Sequence, residues 1–430
     1  MSWSGDTERR GFPFTPVCGL TSKFRGALGN QVRLWNNEKA VAAMAEDVIN
    51  KLTKKDLAKL IRSVFPAYPG DKRLGILVDM PRRTEADNSG WRVRRLLAEE
   101  WAGLLKQAAT DISLEEVKLL AYPDVGSNNA DLPSSAYEIR SRLPEAATGL
   151  AAAGSEVPFT TIFEQVQLFL APTEFSTTAP LKNAARQYGF RAATMPGFSE
   201  EMLPALRLDY DEVSRRVLLL QARLDRASSA GVRFRVDDEF DFHMIFDLRF
   251  RKSHVSSGRF PDKGTAGNLP SGETYIVPYE GEGAEPSRTE GVLPVQVGPQ
   301  MVLFLIQENR AIYVDGERDA AVDERTRLLA EPAYGNMAEL GFGVLGDFGL
   351  QPIGEILLDE KLGLHVAFGR SDHFGGSVGP QNFRSPSAVV HLDRIYIPAL
   401  QPRVKLESVE LTYEDGTCET ILEKGRYQIF

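Results

Sequence analysis

The run VVHLDRIYIP, residues Val389 to Pro398, sets a histidine and an aspartate two apart among apolar, β-branched neighbours. In a strand, positions i and i+2 point to one face, so His391 and Asp393 would converge on a single point. An imidazole and a carboxylate meeting there form either a hydrogen-bonded structural pair or part of a metal site. Three more stretches in the same half of the chain carry candidate ligands. GNLPSGETYIVP places Glu273 where a Gly/Pro turn passes into a strand. NMAELGFG places Glu339 among apolar and glycine residues, away from any charged face. LLDEKLGLHVAFG carries Glu360 and, five residues on, His365 in an apolar run.

Each of these residues also has a plain structural reading. Glu273 could brace its turn, Glu339 could accept from loop amides, Glu360 could be a solvated charge, and His365 could be a satisfied core histidine. Taken together they say more. Buried carboxylates are costly unless paired or metal-bound, and four ligand-bearing strand edges in one domain could share one site. All five histidines, His243, His254, His365, His373 and His391, lie beyond residue 231.

The elements that must position these residues change character along the chain. In the first half, apolar residues at helical spacing in EKAVAAMAEDVINKLTKKDLAKLIRSVF, WRVRRLLAEEWAGLLKQAA and APLKNAARQYG predict helices. RLGILVDMP, EEVKLLAYP, EQVQLFLAP and FRAATMP read as buried strands between them. That alternation predicts an open, largely parallel α/β sheet. The Gly/Ser/Ala/Pro-rich segment 126–156 reads as an insertion or lid. DYDEVSRRVLLLQARLDRASSAG predicts a long helix opened by acidic residues and closed by Gly231. Beyond it, short strands separated by Gly/Pro/Ser loops predict a β-rich unit. The expected organisation is therefore an N-terminal α/β domain over 1–231 and a C-terminal metal-binding catalytic domain over 232–430.

Composition narrows the function. A chain of 430 residues exceeds one ordinary core, which supports two domains. A formal net charge of -9, with no basic tract, argues against nucleic-acid or anionic-membrane binding. Cys18 and Cys418 are too few and too far apart for a disulfide framework or a cysteine zinc module. The N-terminus lacks the apolar core of a secretory signal, and no apolar run reaches the roughly 18 residues of a membrane span. A cytoplasmic protein is expected.

The order NLPSGE, AELG, DEK-x-x-x-H and a strand bearing H-x-D resembles the thermophilic metallopeptidase family, known for aminopeptidases T and S. The likeness extends to ATMPGFSEEML and the helix after it, and so spans most of the chain; residues 1–35 are an unmatched extension. The resemblance implies a two-metal centre bound by Glu273, Glu339, Glu360, His365, His391 and Asp393, and a homodimer whose domains enclose a chamber. Mixed nitrogen and oxygen donors suit two Zn, Co or Mn ions. Such a centre would activate water and polarise a scissile carbonyl, with Glu339 as proton shuttle. The expected activity is removal of an N-terminal residue from a small peptide, or cleavage of an amino-acid amide.

The chain departs from the family pattern in one place. Where family members carry a tyrosine able to bond a developing oxyanion, this chain has Asp372 and His373: either a protonated His373 is the substitute donor, or the reaction differs, or His373 is a loop residue beside a glycine turn. Two other functions stay open. The same scaffold resembles a ring-cleaving dioxygenase acting on dihydroxypyridine, for which His365, His391 and Asp393 would hold one Fe(II). A metal-stabilised binding protein without turnover is the third.

Overall fold

The computed structural model describes residues 51–430, so the unmatched extension and the first part of the EKAVAAMAEDV helix lie outside the described residues. The remainder of that helix, Lys54–Val64, begins at Thr53, whose side chain caps it in a reciprocal bond with Asp56.

The run Leu74–Met80 is buried at every position of the strand Arg73–Met80, as a strand covered on both faces must be. It lies at the centre of a seven-stranded sheet ordered Ala266–Asn268, Arg191–Pro196, Leu168–Thr173, Arg73–Met80, Glu116–Pro123, Ser135–Ile139, Gly154–Pro158. Pairing is parallel over the first five strands and antiparallel at the last two. The helices Ser89–Ala108 and Thr178–Tyr188 fall where apolar periodicity predicts them. The segment 126–156 is different from its reading as a lid: it supplies Ser135–Ile139 and leads into the edge strand. Gly154 allows that edge to close, since a Cβ there would sit 2.3 Å from the Glu138 carbonyl oxygen.

The long helix is shorter than the sequence pattern predicts. It runs only over Tyr210–Leu224, and the chain then enters the strand Ala227–Val236. Gly231 is mid-strand, opposite Glu410 on one side and Ile245 on the other. Ladder bonding on both edges outweighs the helical pattern of the sequence, which carries no record of those distant partners. A domain boundary at residue 231 would therefore cut a central strand. The two halves are also interleaved, because Ala266–Asn268 adds to the α/β sheet beside Arg191–Pro196.

The β-rich half contains two antiparallel sheets. One has eight strands, with Ala227–Val236 between Phe240–Asp247 and Val404–Tyr413. The other has five, ordered His391–Ile395, Leu364–Gly369, Met337–Gly343, Glu273–Ile276, His254–Ser256. The helix Tyr210–Leu224 backs this smaller sheet, and Thr274 Oγ1 donates to the Val217 carbonyl at 2.7 Å. Leu340, Phe342, Val366 and Phe368 line a shared core with Val217 and Phe304. Among the described residues no helix is long and apolar enough to cross a membrane.

Candidate metal centre

The register of the five-stranded sheet decides which side chains can meet. Met337–Gly343 pairs with Leu364–Gly369 so that Glu339 stands opposite Ala367, and Ala367 stands opposite Asp393 on the next strand. The small Ala367 side chain leaves Glu339 and Asp393 facing each other across the middle strand. Gly341 is opposite Tyr275 on one side and His365 on the other. A Cβ at Gly341 would lie 1.9 Å from His365 Nε2, so only glycine leaves space for that ring. Glu273 pairs with Gly343 at the end of its own strand. Leu340 and Phe342, at the alternate positions of the same strand, belong to the core.

The six residues singled out in the sequence come together here. Glu339 is bracketed by imidazoles: Oε1 is 3.2 Å from His365 Nε2 and Oε2 is 3.1 Å from His391 Nε2. Asp393 Oδ1 lies 3.6 Å from His391 Nε2, and Glu273 Oε2 lies 3.8 Å from His365 Nε2. Glu339, His391 and Asp393 each offer a ligand atom within 4.8 Å of the others. Both rings are oriented from behind. His391 Nδ1 is 2.7 Å from the Arg370 carbonyl and His365 Nδ1 is 3.3 Å from that of Gly363. A carbonyl can only accept, so Nδ1 carries the hydrogen and Nε2 is left for the carboxylates or an ion.

The donor set fits a divalent cation. Carboxylate and imidazole donors suit Zn, Mn, Fe or Co. Glu273 Oε2 is buried with no hydrogen-bond partner among the described residues, an acceptor turned into the cluster. Protons alone balance the charge only by large shifts. Burial would raise the Glu339 carboxyl, but the bonds and charges of His365 and His391 overcome it and hold it at about 2. Burial opposes charging His365, yet Glu339, then Glu273 and Asp393, raise it to about 9. His391 is likewise raised well above its usual value against burial, by Asp393 and Glu339.

Glu360 differs from the rest. Its side chain is 21% exposed and that of His391 is 20%, whereas Glu273, Glu339, Asp393 and His365 are each at most 8% exposed. The cluster thus meets solvent on the side of Glu360 and His391. Burial pushes the Glu360 carboxyl up to about 8, against the charge of Lys361 and with added repulsion from Glu273 and Asp393.

Two residues outside the predicted set also belong to the cluster. Lys361 is fully buried, with Nζ 3.2 Å from Glu273 Oε1 and in contact with Glu360 Oε1. Burial would lower its pKa, but the two carboxylates raise it above the ordinary lysine value. In DEK it reads as one more surface charge, and only its place between two candidate ligands could have marked it. Tyr275 shares the face of Glu273 at i+2; its pKa is raised by burial and by Glu339, Glu273 and Glu360. Its ring stacks on His254 at 5.3 Å. The alternation within SGETYIVP carried that signal.

His373 meets the site from a different loop. Its ring is 5.2 Å from that of His391, edge to face. Burial, with His391 and Arg370, lowers its pKa to about 4. It is therefore neutral at pH 7, which corrects the expectation of a protonated donor. Its loop is clamped by Glu280, which accepts from Ser377 Oγ at 2.7 Å and Ser371 Oγ at 2.5 Å.

No family model matches this chain, and neither does any curated protein. Among solved structures, 2,5-dihydroxypyridine dioxygenase from Pseudomonas putida KT2440 is similar at a TM-score of 0.52 and 16% identity, over 88% of this chain and 98% of that one. Wild-type AmpT from Thermus thermophilus has a TM-score of 0.49 at 15% identity, over 87% of this chain and 99% of its own. The first of these likenesses establishes the mixed α/β fold with several sheets.

Proposed function

We propose that this protein is a metal-dependent hydrolase acting on an amide bond beside a free amino group, in a small peptide or amino-acid amide. The observation that carries the reading is the convergence of Glu273, Glu339, Glu360, His365, His391 and Asp393 on one side of one sheet. Glu339, His391 and Asp393 would hold the ion, with His365 orienting Glu339. A divalent cation supplies Lewis-acid chemistry there, acidifying water and polarising a carbonyl.

The chain's own groups divide the other tasks. Both oxygens of Glu339 face imidazoles, so the role of proton shuttle passes from Glu339 to Glu360. Glu360, 21% exposed on the solvent side of the cluster, has a carboxyl near 8, close to the value a general acid–base group needs at neutral pH. The Tyr275 phenol stays protonated and can donate to a developing oxyanion, in place of the family tyrosine.

The test is hydrolysis of amino-acid amides with Mn, Zn or Co supplied. Glu360→Gln should bind metal like the parent and lose turnover by about 100-fold or more. Glu339→Gln should lose both metal and turnover while keeping its fold. A fully active Glu360→Gln enzyme would sink the mechanism.

One observation favours a second reading, ring-cleaving oxygenation. His365, His391 and Asp393 lie in one cluster around Glu339, and two imidazoles with one carboxylate are the donor set a single Fe(II) uses; one scaffold can host either chemistry. That reading expects oxygen consumption with a dihydroxypyridine and strict dependence on Fe(II).

A further inference from the structure

We propose that the Lys361 ammonium occupies the place of a second metal ion, so that the centre takes one divalent cation per chain. The inference rests on the reading that the cluster binds metal, and it changes the two ions implied by the family resemblance to one.

Among the described residues, Glu339, His391 and Asp393 are the three groups whose ligand atoms lie mutually within 4.8 Å. Among the other donors, His365 Nε2 and Glu273 Oε2 are 3.8 Å apart but complete no second group of three within that span among the described residues, so a second ion would need the carboxylates Glu273 and Glu360. Those two are already joined by a cation: Lys361 Nζ is 3.2 Å from Glu273 Oε1 and in contact with Glu360 Oε1. A divalent ion bound to both would sit about 2.0–2.2 Å from each oxygen, in the space the ammonium fills. Two cations cannot share that space, because the charge of one repels the other at short range.

The lysine is also held where it is. Its side chain is 1% exposed. A Cβ on Gly343 would fall 2.2 Å from the Lys361 carbonyl carbon, so the backbone of Lys361 lies directly against the strand Met337–Gly343. Gly343 N donates to the Gly363 carbonyl at 2.9 Å and ties down the residues just after it. A lysine so placed neutralises Glu273 and keeps Glu360 beside the ion as a group able to carry a proton.

The experiment counts metal. Protein purified without chelator is loaded with excess Mn(II) or Zn(II), dialysed free of weakly held ions, and measured by elemental analysis and native mass spectrometry. The wild type should hold one ion per chain. Lys361→Gln, similar in length and uncharged, should hold two. Glu273→Gln should still hold one, because its partner is the lysine. Two ions in the wild type would overturn the proposal while leaving the metal site standing; so would a folded Lys361→Gln that still holds one. No ion in the wild type would instead refute the metal reading itself. Should Lys361→Gln fail to fold, as a melting curve would reveal, the wild-type count and Glu273→Gln decide the matter.

Discussion

At the scale of single residues, the cluster is a balance of charge that protons or a metal ion can strike. His365 has a pKa of about 9 in the folded chain against 6.5 for an ordinary histidine. Its stabilising contribution is thus complete below 6.5 and lost as pH rises through 9. Glu360, at about 8 against 4.5, acts in the same direction, since the folded state increasingly disfavours its ionisation between those values. Chelator-treated protein should therefore lose several degrees of melting temperature between pH 6 and pH 9.5. An ion held by Glu339, His391 and Asp393 would bring positive charge beside both groups, lower their pKa values and flatten that slope. A flat profile in both forms, measured by differential scanning fluorimetry, would contradict the charge balance. The Gly341→Ala variant tests the geometry separately. The new methyl would meet His365 Nε2 at 1.9 Å, and displacing the ring should weaken metal binding by about tenfold or more, read by titration calorimetry. The ligand types and order were legible in the sequence because histidines and carboxylates stand out in apolar strands. Lys361 and Tyr275 were legible by position alone, the one between Glu360 and His365 and the other two residues after Glu273, since their residue types are ordinary in a DEK run and in a strand.

At the scale of elements, local pattern and long-range pairing divide the outcome. Arg73–Met80, Ser89–Ala108 and Thr178–Tyr188 formed where their own periodicity or apolar run demanded. The failures came where a distant partner decides. Gly231 belongs to a strand because Val404–Tyr413 lies beside it, and segment 126–156 contributes strands because Glu116–Pro123 offers it an edge. The loop carrying His373 depends on distance in the same way. Glu280 holds it from nearly a hundred residues away, by bonds to Ser371 and Ser377, and also faces Arg251 at 3.7 Å. Glu280→Ala would remove those acceptors and leave buried charge on Arg251 less compensated. It should cost on the order of 3 kcal/mol, with a matching fall in melting temperature. A loss well under 1 kcal/mol would show that the loop is held by other contacts.

At the scale of the whole molecule, a division into halves at residue 231 conflicts with how the chain is woven. Leu52–Phe430 forms one compact unit. A strand from the second half, Ala266–Asn268, completes the sheet of the first. The helix Tyr210–Leu224, from the first half, backs the sheet that carries the cluster. A single apolar core contains Leu74 and Trp101, continues through Val217, and reaches Phe342, Phe304 and Leu411. Composition and periodicity cannot report this, because each half reads as self-sufficient when taken alone. The consequence is cooperative. Cutting at residue 231 would split the strand Ala227–Val236 between its two neighbours and expose the core along the whole seam. Fragments 52–231 and 232–430, expressed separately, should each lack a cooperative melt and bind no metal. When co-expressed they should associate if they fold at all. A soluble 232–430 fragment with a sharp calorimetric transition and a bound ion would show that the metal-bearing sheet needs nothing from the α/β half.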